Sequence, residues 1–516
     1  MLSNQAVSVL IRINQAGYNP NDTKIALVLT SKNLHAQSFQ VIGVPGTNVF
    51  LTAKVGHNRG SYGHFSHLYE LNFSALTKAG TYRIQLGADS SPPFPVATNA
   101  YPALIAPSLQ FFRVQRCGDT APLLHGPCHL HDGFAAGGWH DSGDYLKFVI
   151  THGYAVVLLL LAYQHQPDPA ILAEARVGLD WLMKMWDAQH TTLYYQVGDY
   201  HDHSDYGWRL PEGDDTKFPP RPVWACDAGK GANVAGKAAA ALALGAVLLN
   251  DTNYLAAAKQ IYAFGQVHPH VQNATGDPDS GAYYEQHTWQ ADMALAAAEL
   301  YRATGVATYL ADARSYAQTA GVIGLFDWSS LHALAQYEIA KLDPTYVATA
   351  AKLLTQDLAS YRTHARTNRF HVAADFSWGC AENIAGAALT ALWYEDLTGD
   401  NQFRDLAVAQ RDYLLGVNPW GVCWINSVGT VWPHYPHHQI ADLLHAELVG
   451  FWDEGPVPPR VFKAEHIRLH SPDAYANFQT DAAVYHDDVE DYTTNEPTIT
   501  ANAIGLALSG WWGTLP

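Results

Sequence analysis

Two aspartates three residues apart, Asp141 and Asp144, share the segment Gly137-Gly138-Trp139-His140-Asp141-Ser142-Gly143-Asp144-Tyr145. Carboxylates that close can hold and polarise one water, while the neighbouring Trp and Tyr offer faces of the kind that hold a pyranose ring. That is the chemistry of sugar cleavage. Asp-x-Gly-Asp is also a common turn, so a calcium loop or a plain surface turn is the competing reading.

A second acidic constellation lies about 350 residues later: Tyr485-His-Asp487-Asp488-Val-Glu490-Asp491-Tyr492-Thr-Thr-Asn495-Glu496-Pro497-Thr498. An acidic patch is usually a solvated face. This one is interleaved with Tyr and runs into an apolar helical segment. A glutamate there, beside aromatic rings, can have its pKa raised enough to act as an acid near neutral pH. Cys117, Cys128-His129 and His140 form a third pattern. Two thiolates and two imidazoles make a tetrahedral zinc set, although the spacing is not CxxC, and buried thiols with satisfied histidines are the alternative.

The elements that must position these residues fall into two kinds. Residues 8–97 carry short β-type runs, such as 25–29, 39–42 and 81–86, separated by turn clusters; about 90 residues of this kind fit an immunoglobulin-type sandwich. From about residue 100 the chain turns to long amphipathic helices rich in Ala and Leu: 168–187, 233–249, 287–303, 306–320, 343–360, 381–398, 401–415 and 498–512. They pair through short Gly/Asp connections, and the His, Trp, Asp and Pro residues collect in long loops between pairs, where a cleft would be built. The expected architecture is mainly α: a sandwich over 1–98 and a toroid of helix pairs, an (α/α) barrel, over 99–516.

The composition, 48% hydrophobic and 15% charged over 516 residues, is that of a folded globular chain. A net charge of −18 without any Lys/Arg-rich run argues against nucleic acid or an anionic membrane as partner, but not against a neutral glucan. The apolar run from Tyr154 to Tyr163 is too short to span a bilayer. Met-Leu-Ser-Asn-Gln at the start lacks the basic-then-apolar pattern of a secretory signal, so the chain reads as intracellular or as a trimmed mature form. Five cysteines at irregular spacing argue against a disulfide framework.

The string Tyr485-x-Asp487-x(4)-Tyr492-x(3)-Glu496-x-Thr498-x(3)-Asn502-Ala503 resembles the C-terminal active-site signature of glycoside hydrolase family nine, the inverting cellulases. Gly137 to Lys147 resembles that family's Gly-Gly-Trp-x-Asp-Ala-Gly-Asp-Tyr-x-Lys segment. Phe111 to Arg116, Val197-Gly-Asp199 and Leu415-Gly-Val-Asn418-Pro419 resemble further family segments in the same order. Asn14-Gln15-Ala-Gly17-Tyr18 and Ala79-Gly80-Thr81-Tyr82-Arg83 resemble the immunoglobulin-like domain of one branch. The resemblance implies an (α/α)6-barrel catalytic domain with Asp144 as general base, Asp141 helping to hold its water, Glu496 as general acid and Asp487 in support. Inversion would then require Asp144 and Glu496 about 6.5–9.5 Å apart. That branch also carries a structural zinc with similarly arranged ligands, which points Cys117, Cys128, His129 and His140 to that role, pinning the catalytic turn without taking part in the chemistry. Calcium is often bound in the family, and acidic loops such as Asp199–Asp215 could supply ligands.

Substrate contacts implied by the same resemblance are Trp378, His437, Tyr492 and, in the loop after Val-Gly-Asp, His201, His203, Tyr206 and Trp208. The chain departs from the family pattern around the cut site. Gln439 stands where Arg usually follows Pro-His-His, Leu448-Val-Gly-Phe-Trp452-Asp453-Glu454 replaces Leu-Val-Gly-Gly-Pro, and 418–424 lacks the usual Ser-Tyr-Val run. The leading expectation is a monomeric endo-β-1,4-glucanase acting on cellulose-like or mixed-linkage glucans. The alternatives are an exo-acting β-glucosidase or β-glucosaminidase, whose amino sugar Glu382, Asp453 and Glu454 could meet, and a carbohydrate-binding protein without turnover.

Overall fold

Strands in which apolar residues alternate with polar ones must pair edge to edge and bury one face against another layer. The computed structural model, which describes residues 9–278, 281–320, 324 and 326–513, places eight such strands before residue 97. They are β1 (Val9–Arg12), β2 (Ile25–Thr30), β3 (Ser38–Gly43), β4 (Val49–Lys54), β5 (His67–Asn72), β6 (Gly80–Leu86), β7 (Asp89–Ser90) and β8 (Phe94–Val96). One sheet has the order β1-β2-β5; the other runs β4-β3-β6-β7, with β8 also on β6, and these pairings are antiparallel. Phe39, Val41, Leu71, Ile84 and Phe94 fill the space between the sheets.

The helices that follow are α1 (Ile105–Gln115), α2 (Val149–His165), α3 (Pro169–Lys184), α4 (Asp214–Lys217), α5 (Ala232–Leu249), α6 (Thr252–Val267), α7 (Gln290–Thr304), α8 (Ala307–Ala320), α9 (His332–Leu342), α10 (Val347–Thr367), α11 (Cys380–Thr398), α12 (Arg404–Leu414), α13 (Gln439–Leu444), α14 (Pro459–Ala464) and α15 (Ile499–Trp512). Six of them, α2, α5, α7, α9, α11 and α15, are buried over nearly all their length. They pack in a closed ring, each against the next and α15 back against α2. Helices buried on every side must be apolar on every side, which accounts for their Ala and Leu. α5 is long and apolar enough to cross a bilayer, yet most of it lies inside this ring. Outside the ring, α1, α3, α6, α8, α10 and α12 complete six pairs, and the architecture is an (α/α)6 barrel.

Two expectations need adjustment. The helix expected over 168–187 stops at Lys184; Trp186–Asp187 pair instead with Leu193 and Thr192 as a short antiparallel ribbon. Residues 1–8 and 514–516, assigned to the two domains from sequence, lie outside the described residues. The sandwich is fastened to the barrel: Leu27, Leu29, Phe65 and Leu68 join the barrel core, and Asn14 Nδ2 donates to Asp412 Oδ1 at 2.8 Å.

Candidate active site

The segment 137–146 is a turn held from behind. Gly138 has φ of +69°, and a Cβ there would sit 2.7 Å from the Trp181 ring, so only glycine fits. Trp139 is buried, and its Nε1 donates to Glu174 Oε1 at 2.8 Å. Gln115 Nε2 donates to the carbonyls of His140 (3.1 Å) and Ser142 (2.6 Å), while the Asp141 N–H donates to the Leu146 carbonyl at 2.9 Å. Gly143 is required for a different reason: a Cβ on it would collide with the carbonyl oxygen of His437. The bare backbone lets the 434–438 loop lie against the turn, and the Gln439 N–H donates to the Gly143 carbonyl at 3.0 Å.

The C-terminal constellation reaches the same place through α15. Thr498 caps that helix, its Oγ1 accepting from the Ala501 N–H at 3.1 Å, and the Ile499 N–H donates to the Asp141 carbonyl at 2.9 Å. Glu496, two residues before the cap, therefore lies over the turn; its Oε1 accepts from the Gly143 N–H at 3.2 Å, and the Ser142 side chain also bonds to it. Asp144 is next along the chain from that glycine.

The three carboxyls meet different neighbours. Asp141 accepts from the hydroxyls of Thr151 and Tyr284; burial, with a lesser push from Asp144 and Glu496, raises its pKa to about 7. For Asp144 burial also pushes upward, but the hydrogen bond and positive charge of His203, with the Leu146 N–H at 2.9 Å, outweigh it and hold the group below the ordinary aspartate value. Burial opposes a charge on His203 as well, and is overcome by Asp144 and Glu496, so its pKa rises to about 9. Glu496 is raised to about 7, first by burial and then by repulsion from Asp144.

Around these groups lies an aromatic rim. The His437 ring sits 5.0 Å from that of Trp208 and 5.4 Å from that of Tyr492, and Tyr492 in turn lies 5.7 Å from Trp378. Trp208 and Trp378 are 39% and 46% exposed, unusually open for tryptophan, which leaves ring faces free for a sugar. Asp487 lies beneath the rim and accepts from the N–H groups of His434 and Tyr435 at 2.7–2.9 Å, so it fixes the loop that carries His437. His201 and Tyr206 are not brought to the carboxyls: His201 pairs with Asp205 at 2.6 Å, and Tyr206 stacks on Phe218 with the Arg209 guanidinium over its ring. Tyr284 and Thr151 were not marked by the sequence; the Tyr-Tyr pair in the Gly-rich loop before α7 was the available signal for the first.

Cys117, Cys128, His129 and His140 are all buried, and one ligand atom from each falls within 4.8 Å of the others. Cys117 Sγ is 3.9 Å from His129 Nδ1, and Cys128 Sγ is 3.8 Å from His140 Nε2. The second nitrogen of His129 faces Asp214 Oδ2 at 3.0 Å, the usual outer partner of a metal-bound imidazole. The cluster is therefore a candidate metal site directly behind Asp141. In the acidic loop at 199–215, Asp202 and Asp214 pair with Arg209, Asp205 with His201 and Asp215 with His131, while Asp202 and Asp214 also bring ligand atoms within 4.8 Å of one from His129.

A ring of six helix pairs with carboxyls gathered at its loop end and open aromatic rings beside them defines a glycoside hydrolase. The chain belongs to glycosyl hydrolase family 9, which it matches over residues 101–508, and residues 7–91 match the cellulase N-terminal ig-like domain. It is 25% identical to the xyloglucan-specific endo-beta-1,4-glucanase BoGH9A of Bacteroides ovatus, over 97% of this chain and 93% of that one. In fold it resembles a metagenome-derived family 9 endoglucanase (TM-score 0.82, 24% identity, 98% and 99% of the two chains). It likewise resembles the Zn-binding triple mutant of the family 9 endoglucanase J30 (TM-score 0.80, 23% identity, 96% and 99%).

Proposed function

We propose that the chain is an endo-acting, inverting glycoside hydrolase that cleaves β-1,4-glucosidic bonds in cellulose-like or mixed-linkage glucans, with Asp144 as base and Glu496 as acid. One observation carries the assignment: the two carboxyls flank Gly143 yet have opposite environments, one stabilised as an anion and the other held protonated near neutral pH. Glu496 gives its proton to the departing glycosidic oxygen while Asp144 takes one from the water that attacks the opposite face of the sugar. Asp141, engaged by two hydroxyls, holds the turn and faces the same water. Tyr492, His437, Trp208 and Trp378 bind sugar rings, and His203 keeps Asp144 ionised. The endo reading is supported by the names of the three relatives, all endoglucanases, and by a rim left open at Trp208 and Trp378.

The Cys/His cluster suits a structural zinc held by Cys117, Cys128, His129 and His140. Four protein donors fill a tetrahedral shell and leave no place for a reacting water, and bound there the ion would tie the catalytic turn to the scaffold. No calcium ligand set is proposed from the loop at 199–215. We propose that the enzyme acts as a monomer.

The test is the first-formed product. Proton spectroscopy during hydrolysis of a cello-oligosaccharide should show the α-anomer appearing before mutarotation, and a soluble glucan should lose viscosity well before reducing ends accumulate. A β-anomer first would remove the inverting assignment, and monosaccharide as sole product would remove the endo one.

A further inference from the structure

Beside Trp208 lies a cavity of about 500 Å3, open to solvent, that none of the steps above uses. Trp208, Leu210 and Leu443 wall it, and Arg209, Glu212 and Lys217 also belong to its lining. Leu443, on the short helix α13, is 40% exposed, and Trp208 is 39% exposed. Large apolar side chains left open around a concavity are the walls of a site for an apolar group.

The cavity is continuous with the catalytic turn. The Trp208 ring meets that of His437 edge-on at 5.0 Å, and the carbonyl oxygen of His437 lies against Gly143. Helix α13 starts at Gln439, whose N–H donates to the Gly143 carbonyl at 3.0 Å. In the row Trp378, Tyr492, His437, Trp208, the turn therefore stands at His437. Stacking rings lie on one side of it and the cavity on the other.

The polar groups of the walls are already spent. Gln439 Oε1 accepts from the Arg209 N–H at 3.2 Å, and the Arg209 guanidinium is bound by Asp202 and Asp214. Glu212 and Lys217 are exposed and of opposite charge, so the cavity favours neither sign of ligand. A pyranose carries hydroxyls around its ring, and a hydroxyl that exchanges water for leucine loses its hydrogen bond. An apolar group loses nothing there and gains by leaving water. Of the two halves of a glycoside, only the leaving half can be something other than a sugar.

We propose that this cavity receives an apolar aglycone, so that the chain hydrolyses, besides glucans, β-cellobiosides of apolar alcohols. This rests on the hydrolase reading above and deepens it, because it names a class of leaving group for the same site. Water adds its oxygen to the anomeric carbon as the C1–O bond breaks. Glu496 protonates the departing oxygen, Asp144 takes the water's proton, and the free alcohol leaves from the cavity.

The experiment compares kcat/KM for cellotetraose and for ethyl, 2-phenylethyl and n-hexyl β-cellobioside, in the wild type and in Leu443→Asp. The three alcohols are close in acidity, so ratios among their glycosides report the cavity and not the ease of departure. At least one of the larger glycosides should be cleaved about tenfold or more better than the ethyl one. A lead for phenylethyl assigns the cavity to aromatic aglycones, and a lead for hexyl assigns it to alkyl ones. Leu443→Asp should lower that preference at least about fivefold. Equal kcat/KM on the three cellobiosides, none of them cleaved, or a preference untouched by the variant overturns the proposal, and turnover of cellotetraose then leaves the hydrolase reading intact. Cleavage of none of the four substrates overturns both. Should Leu443→Asp fail to fold, competition in the wild type decides. The better of the phenylethyl and hexyl 1-thio-β-cellobiosides should inhibit cellotetraose cleavage about tenfold more strongly than the ethyl one, and equal inhibition overturns the proposal.

Discussion

Replacing Glu496 by glutamine removes the ionisable proton and keeps the shape. A free glutamate of pKa 4.5 is only about 3% protonated at pH 6, whereas one raised to about 7 is about nine-tenths protonated, so burial and the Asp144 charge increase the competent acid roughly thirtyfold. General acid catalysis itself contributes on the order of 10²–10⁴ in rate. Glu496→Gln should therefore lower kcat on a cello-oligosaccharide by that order, with little change in KM. The decisive control is a substrate whose leaving group needs no proton, a dinitrophenyl glycoside or a glycosyl fluoride, on which the loss should shrink to within about tenfold. The wild-type profile of kcat/KM should fall as pH rises through about 7, because the acid is then lost, and that limb should vanish in the variant. An equal loss on both substrates, or an alkaline limb that survives in Glu496→Gln, would refute the assignment.

Four further outcomes follow from the same geometry. Asp144→Asn should reduce kcat by at least about a hundredfold on both kinds of substrate, since the water needs its base whatever the leaving group; steady-state rates check this. His203→Asn removes the positive charge that lowers both carboxyl pKa values, so both limbs of the pH profile should move to higher pH; a shift downward would contradict the pairing. Asp487→Ala frees the N–H groups of His434 and Tyr435 and should lower kcat/KM about tenfold through a misplaced His437, with thermal stability nearly kept. Zinc should copurify in a one-to-one ratio by elemental analysis, and Cys128→Ser should lose the metal and melt at least about 5 °C lower.

The parts of this site legible in the sequence are those whose chemistry is local. Asp141 and Asp144 share one turn, and Glu496 precedes a capped apolar helix, so residue type and spacing marked them as candidates, while their roles came from the family resemblance. Contacts made across the barrel left no local trace: Tyr284 meets Asp141 across 143 residues and His203 meets Asp144 across 59. Part of the scaffold was hidden as well. α2 and α9 were missed as helices, although α5, α7, α11 and α15, buried as completely, were legible from their Ala- and Leu-rich runs. α6 was also missed, although Asp251 caps it by accepting from the Asn253 N–H at 2.8 Å, a start signal that could have been used.

Why the proposed base is Asp144 and not Glu496 follows from what each touches, because both are buried carboxyls beside the same glycine. An anion at Asp144 is met by a hydrogen-bonded imidazolium and an N–H; a second anion at Glu496 would find the Gly143 N–H, the Ser142 side chain and the charge of His203 without a hydrogen bond from it, against burial and the charge of Asp144. Like charges in one buried site divide a proton between them, and it goes to the group with the poorer support. The asymmetry is fixed by His203, which sits on a π-type turn at His201–Asp205, a backbone irregularity of the kind found at functional sites. The carboxyls therefore owe their separate roles to a loop that comes from neither end of the chain, and moving that loop would exchange or abolish those roles without altering either acid.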